Sequence, residues 1–116
     1  MTDRLDAVFH ALSDKTRRAI LMRLMQGPAT VSDLALPFDI TMPTLLSHLS
    51  RLEQAGLVRS AKQGRVRICR ANPVALGPAR RWIADRQAAW EDRVARPQRR
   101  TDASHPLRAP LHRAEQ

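Results

Sequence analysis

Thr44, Ser47, Ser50 and Arg51 put three hydroxyls and a guanidinium on one side of the segment TMPTLLSHLSRLEQAG, residues 41–56. Pro43 and Gln54 share that side, which carries no acid and no large aliphatic residue. Such donors and acceptors suit hydrogen bonding to base edges and phosphates in a major groove. A plain solvated face would look the same in isolation, so the neighbouring elements have to decide. His48 flanks this side, either as a phosphate or base-edge contact or as a packing spacer.

A second group follows in residues 57–71, which hold five basic residues and no acid. Lys62, Gln63, Arg65 and Arg67 are the candidates there for contact with flanking backbone or a minor groove. Catalytic chemistry has no comparable foothold, because no Ser/His/Asp spacing, Gly-rich phosphate loop or carboxylate pair occurs. The chain is therefore expected not to be an enzyme. Cys69 is the only cysteine, which excludes an internal disulfide and a multi-cysteine metal site within one chain. Two readings of it stand: a redox-responsive thiol favoured as thiolate by Arg67 and Arg70, or a small buried hydrophobe at a strand end. His10 reads as a surface or dimer-contact residue, and His105 and His112 carry no assigned role.

The elements that position these groups are legible from periodicity. Thr41 is placed to cap a helix with its hydroxyl. Pro43 sits in the first turn, where its missing N–H costs nothing, and Gly56 supplies a left-handed stop. Leu45, Leu49 and Leu52 form one apolar stripe. Upstream, Leu5, Val8, Phe9 and Leu12 lie on one face of a short first helix. Ser13 or Asp14 caps a second, with Ile20, Leu21, Leu24 and Met25 on its buried side and Gly27-Pro28 as its stop. Thr30 caps a short third helix, Asp33 partnering it in a variant capping box, and Leu34, Ala35 and Phe38 supply its buried contacts. Asp39-Ile40 leads straight into the helix at Thr41. Two helices joined by so short a turn form a helix-turn-helix.

After Gly56 the period changes. Residues 57–62 and 65–70 flank Gln63-Gly64 as a two-stranded hairpin, with Val66 and Ile68 alternating with Arg65 and Arg67. A hairpin this basic beside such a helix is a wing. Asn72-Pro73 then opens a last helix over 74–95, in which Trp82, Ala89 and Trp90 stand at offsets of seven and eight. The earlier helices already supply a core, so the two Trp are expected to bury against a second copy; the other possibility is that this helix folds back on its own domain. From Pro97 the composition predicts a disordered basic tail, 97–116. The expected organisation is a winged helix-turn-helix domain over 1–96 followed by that tail.

Composition agrees with a globular fold. The 116 residues are 43% hydrophobic, and 20 Lys and Arg against 11 Asp and Glu give a formal charge of +9. That excess points to an anionic partner, nucleic acid or an anionic membrane surface. No stretch approaches the roughly 20 apolar residues of a membrane span. The first eighteen residues lack a signal peptide's apolar run, so a cytoplasmic protein is expected.

The succession of LDAVFHALSDKTRRAILMRL at 5–24, PATVSDLA at 28–35 and LLSHLSRLEQAGLVRSAKQGRVRICRANP at 45–73 resembles the ArsR/SmtB-like winged-helix repressors. The resemblance implies a mainly α fold with a small β-hairpin, dimerising through the first and last helices, which places Leu5, Val8, Phe9, Trp82, Ala89 and Trp90 at the dimer interface. It also implies a homodimeric repressor, commonly of its own operon, that binds an inverted-repeat operator in double-stranded DNA. Similar sequences usually carry a Val-Ser pair shortly before His-Leu. Here Leu46 stands there, to touch a thymine methyl or widen the core stripe. Metal-sensing relatives carry paired Cys on the third helix or acid and His clusters on the last. This chain has Thr30 and Ser32 in the first place, and Asp85, Glu91 and Asp92 without His in the second. Such ligands do not suit a transition-metal sensor. The expectation is therefore a DNA-binding regulator using Thr41, Pro43, Thr44, Ser47, His48, Arg51, Lys62, Gln63, Arg65 and Arg67. It needs no metal or cofactor, and its effector is non-metal or absent. The alternatives are a winged-helix protein-interaction module and a single-Cys redox regulator.

Overall fold

Three helix starts obey the capping chemistry of their sequence. In a computed structural model that describes residues 3–95, Asp14 accepts from the Arg17 backbone N–H at 3.0 Å, so the cap of the second helix is Asp14 and not Ser13. Thr30 accepts from the Asp33 N–H at 3.0 Å and Thr41 from the Thr44 N–H at 3.3 Å. The elements are α1 (Arg4–Leu12), α2 (Lys15–Leu24), β1 (Ala29–Thr30), α3 (Val31–Ala35), α4 (Met42–Gln54), β2 (Val58–Gln63), β3 (Val66–Ala71) and α5 (Gly77–Ala95). Short 3-10 turns at Leu36–Phe38 and Pro73–Leu76 precede α4 and α5. The expected start of the last helix at residue 74 thus moves to Gly77. The chain divides into two compact units between Arg80 and Arg81, inside α5.

In the first unit Leu45, Leu49 and Leu52 of α4 meet Val8 and Ala11 of α1, Ile20, Leu21 and Leu24 of α2, Val58 and Cys69 of the sheet, and Leu57 just before it. Met25, assigned to the buried side of α2, is 47% exposed, because it lies past the end of the helix as its C-cap. Arg17 and Arg18 close the other end of the α1–α2 corner. Arg17 Nε donates to the Ala11 carbonyl at 2.8 Å, and Arg18 Nη1 to that of Leu12 at 2.7 Å. These bonds satisfy carbonyls that a helix C-terminus leaves unpaired.

The hairpin is part of a three-stranded antiparallel sheet in the order β1-β3-β2, with Ala29 opposite Cys69 and Thr30 opposite Ile68. A two-residue strand carries no periodicity, so β1 had no signal of its own. The turn is also displaced by one residue. Gln63 pairs with Val66, leaving Gly64 (φ +67°) and Arg65 as the turn. Because side chains alternate along a strand, Cys69 faces the core, while Val66 is exposed and Ile68 half-buried. Gly56 adopts φ +78°, and a Cβ there would collide with the Arg4 guanidinium. It is needed for both the backbone and the space.

Candidate nucleic-acid interface

The buried leucine stripe fixes α4 in rotation, and the opposite side is turned outward. Thr41, Pro43, Thr44, Ser47, Ser50 and Arg51 are exposed, and His48 is half-buried at the edge. Arg51 Nη1 donates to His10 Nε2 of α1 at 3.1 Å, and Arg17 Nη1 of α2 to His48 Nδ1 at 3.3 Å. His48 Nδ1 also lies 4.0 Å from the Asp14 carboxylate. The Arg17 backbone N–H, more than any other group, holds the Asp14 carboxyl below its usual range; desolvation opposes it, and the Thr16 N–H and the proximity of His48 and Arg17 add to it. His10, Arg17, Pro43, Thr44, Ser47, His48 and Arg51 line a cleft of about 410 Å³. Arg17 was missed by sequence reasoning. Its only signal was the pair Arg17-Arg18 in the first turns of α2, which periodicity reads as a solvated edge.

The wing extends this surface. Lys62, Gln63 and Arg65 are exposed at and beside its tip. Arg67 points elsewhere: its Nε donates to Ser60 Oγ at 2.9 Å and its Nη2 to Glu53 Oε2 at 3.1 Å. Ser60 Oγ in turn donates to the same Glu53 oxygen at 2.8 Å. The one acid in the last turns of α4 thus clasps the wing to the helix, and Arg67 is committed to that clasp in the free protein. Leu46, 40% exposed, borders a groove of about 250 Å³ with Thr30, Val31, Met42 and Arg65. It lies outside the buried stripe.

Among comparisons with known proteins, the family described as "Bacterial regulatory protein, arsR family" matches residues 14–60. The HTH-type transcriptional regulator Rv2034 of Mycobacterium tuberculosis is 37% identical over 65% of this chain and 70% of its own length. The transcriptional repressor SdpR of Bacillus subtilis is 36% identical over 66% of this chain and 84% of its own. The chain belongs to the arsR family.

Solved structures agree. A crystal structure of an ArsR family transcriptional regulator is 46% identical over 77% of this chain and 98% of its own, with a TM-score of 0.73. A homodimeric winged helix-turn-helix DNA-binding domain from Mycobacterium bovis is 26% identical over 79% of this chain and 82% of its own, with a TM-score of 0.58. This arsR-family chain is accordingly a DNA-binding transcriptional regulator and not an enzyme. Its fold is the mainly helical winged helix-turn-helix.

Several expected roles meet a different environment. Val8 is fully buried in the chain's own core, so its side chain has no surface to offer a partner. Leu5 is half-buried, Phe9, Trp82 and Trp90 are 37%, 44% and 40% exposed, and Ala89 is exposed. Arg86 lies over the Trp82 ring, 5.1 Å from its centroid. Cys69 has no exposed surface. Burial pushes its thiol up, Glu53 adds to this, and Arg67 opposes it more weakly. Of the two readings, the small buried hydrophobe fits this environment: burial is the largest influence against the thiolate, and Arg67, paired with Glu53, offsets it only weakly. Thr30 caps α3, and among the described residues no three His, Cys, Asp or Glu side chains converge as a metal site. No described helix is long and apolar enough to cross a membrane. The expected tail, 97–116, lies outside the described residues, as do His105 and His112.

Proposed function

We propose that this regulator is a cytoplasmic homodimeric repressor reading a short inverted repeat in double-stranded DNA, its own operon included, with a non-metal effector or none. The observation that carries the reading is the acid-free outer face of α4, where Thr41, Pro43, Thr44, Ser47 and Arg51 are exposed. His48 stands at its edge, and Lys62, Gln63 and Arg65 continue the surface on the wing. Arg67 joins the backbone contacts only by leaving Glu53. Side chains of the helix enter the major groove, where they reach base edges and phosphates, and the wing holds flanking phosphates.

Repression draws support from SdpR, a repressor by name. Homodimerisation draws support from the homodimeric Mycobacterium bovis domain and from the exposed Phe9, Trp82 and Trp90. In this scheme residues 1–96 serve both tasks, and a dimer places its two recognition helices about 34 Å apart, one turn of DNA. A mobility-shift assay on genomic fragments, including the region upstream of the gene, tests the reading. Retention of specific fragments with a palindromic footprint is the expected result; binding no tighter than to competitor DNA overturns it. Zinc, cadmium or arsenite added just above the protein concentration should leave the complex intact. Stoichiometric metal binding with loss of DNA affinity would show that the effector class is wrong.

A further inference from the structure

The cleft between α1, α2 and α4 holds more cationic chemistry than a helix-packing seam requires. Arg17 reaches it from α2, an element that no base-reading role involves. Its Nε and Nη2 donate to the carbonyls of Ala11 and His10 at 2.8 and 3.1 Å, which fixes the guanidinium plane. That leaves Nη1 turned to His48 Nδ1 at 3.3 Å, while Arg51 Nη1 rests on His10 Nε2 at 3.1 Å. Each of these guanidinium nitrogens thus meets a ring nitrogen and not an acid. An imidazole is a poorer partner for guanidinium than a phosphate oxygen, whose hydrogen bonds are charge-assisted. Thr44 and Ser47 add hydroxyls to the same lining. The acid of this region, Asp14, is engaged in capping α2 through the Arg17 N–H at 3.0 Å.

We propose that this cleft is a phosphate site, filled by a backbone phosphodiester of double-stranded DNA, with Arg17 as its fixed cation and Thr44 and Ser47 as hydroxyl donors. The inference rests on the reading that DNA lies along α4, and it adds a contact from outside the recognition helix and wing. With its plane held by the α1 carbonyls, Arg17 Nη1 keeps its position and takes a phosphate oxygen in place of His48 Nδ1, while Arg51 leaves His10 for a base edge.

The test measures duplex affinity of the full chain against salt. Arg17→Gln should weaken all sequences alike and lower the salt slope by about 1 per protomer. Arg17→Lys, which keeps a cation there, should restore most of that slope. An unchanged salt slope in Arg17→Gln overturns the proposal. Should Arg17→Gln fail to fold through loss of its bonds to α1, Thr44→Ala with Ser47→Ala decides: a loss uniform across sequences supports the phosphate site, and an altered base preference or no loss overturns it. Inorganic phosphate separates the sources. At matched ionic strength it should release DNA no better than chloride does; saturable release by phosphate would reassign the cleft to a soluble phosphate and overturn the backbone assignment. Lys62→Ala distinguishes the two levels. If it loses affinity while Arg17→Gln does not, this site alone fails. If neither variant nor Arg51→Ala moves affinity, the DNA face itself has been misread.

Discussion

α4 and α5 are helices of 13 and 19 residues, yet the shorter one buries three leucines and the longer one only Ala79. The difference shows that burial follows the partner a helix finds, not its length. α4 divides sharply, with Leu45, Leu49 and Leu52 each no more than 2% exposed on one side and polar groups on the other. Its own chain therefore fixes which residues it presents, and the outward set is held rigidly. α5 keeps Trp82, Ile83 and Trp90 at least 40% exposed, and large aromatics in contact with water mark an interaction surface. One helix is finished within the chain; the other offers its aromatics to the second copy in the proposed dimer.

Removing the inner side of α4 is the most damaging way to break this contrast. Leu45→Ala should cost about 2–5 kcal/mol of folding stability through reduced burial and a residual cavity, read as a lower urea midpoint. A loss below about 1 kcal/mol would mean that α4 is not anchored by its stripe. On α5 the corresponding change is Trp82→Ser with Trp90→Ser. It should leave folding nearly intact but cost the dimer at least about 2 kcal/mol, with much weaker operator binding. A double variant that still sediments as a dimer would remove α5 from the interface.

The outer side of α4 sharpens the comparison. Arg51→Ala should cost about 1–3 kcal/mol and relax preference at one base position in each half-site. Lys62→Ala or Arg65→Ala should instead weaken all sequences alike and reduce the salt slope by about 1 for each phosphate no longer neutralised, near double that in a symmetric dimer. A panel of single-base operator variants separates the outcomes. If Arg51→Ala proves uniform while a wing variant alters base preference, the wing reads sequence and the helix only positions it. The smallest effect belongs to the clasp. Glu53→Gln loosens Arg67, whose side chain is 46% exposed, so it should cost less than about 1 kcal/mol. Limited proteolysis near Gly64 should nonetheless accelerate, and unchanged cleavage would show that the clasp does not hold the wing.

Much of the first unit was legible because its signals are local. The Thr30 and Thr41 caps, the stop at Gly56 and the leucine stripe each lie within a few residues of the feature they create. The hairpin shows the limit of such signals. Its existence was plain, but its turn lies one residue further on, and strict alternation does not say which face meets the core: Cys69 is inside and Val66 outside. Val8 misled in a similar way. Periodicity identifies the apolar face of α1 but not whether its neighbour is the same chain or another, and for Val8 the neighbour is the chain's own core.

The sequence by itself determined the order of elements, the polar side of α4 and the basic charge of the wing, because capping, periodicity and composition act at short range. Only tertiary structure decided which charges are free to meet DNA. Arg67 and Glu53 are fourteen residues apart, Arg17 and His48 thirty-one, and Arg51 and His10 forty-one. No local pattern encodes a hydrogen bond across such separations. Packing α1 and α2 against α4 brings Arg17 onto the candidate surface, and folding β3 back past α4 commits Arg67 to Glu53. The same count of basic residues could have been arranged otherwise, and the long-range geometry of the folded chain selects among those arrangements.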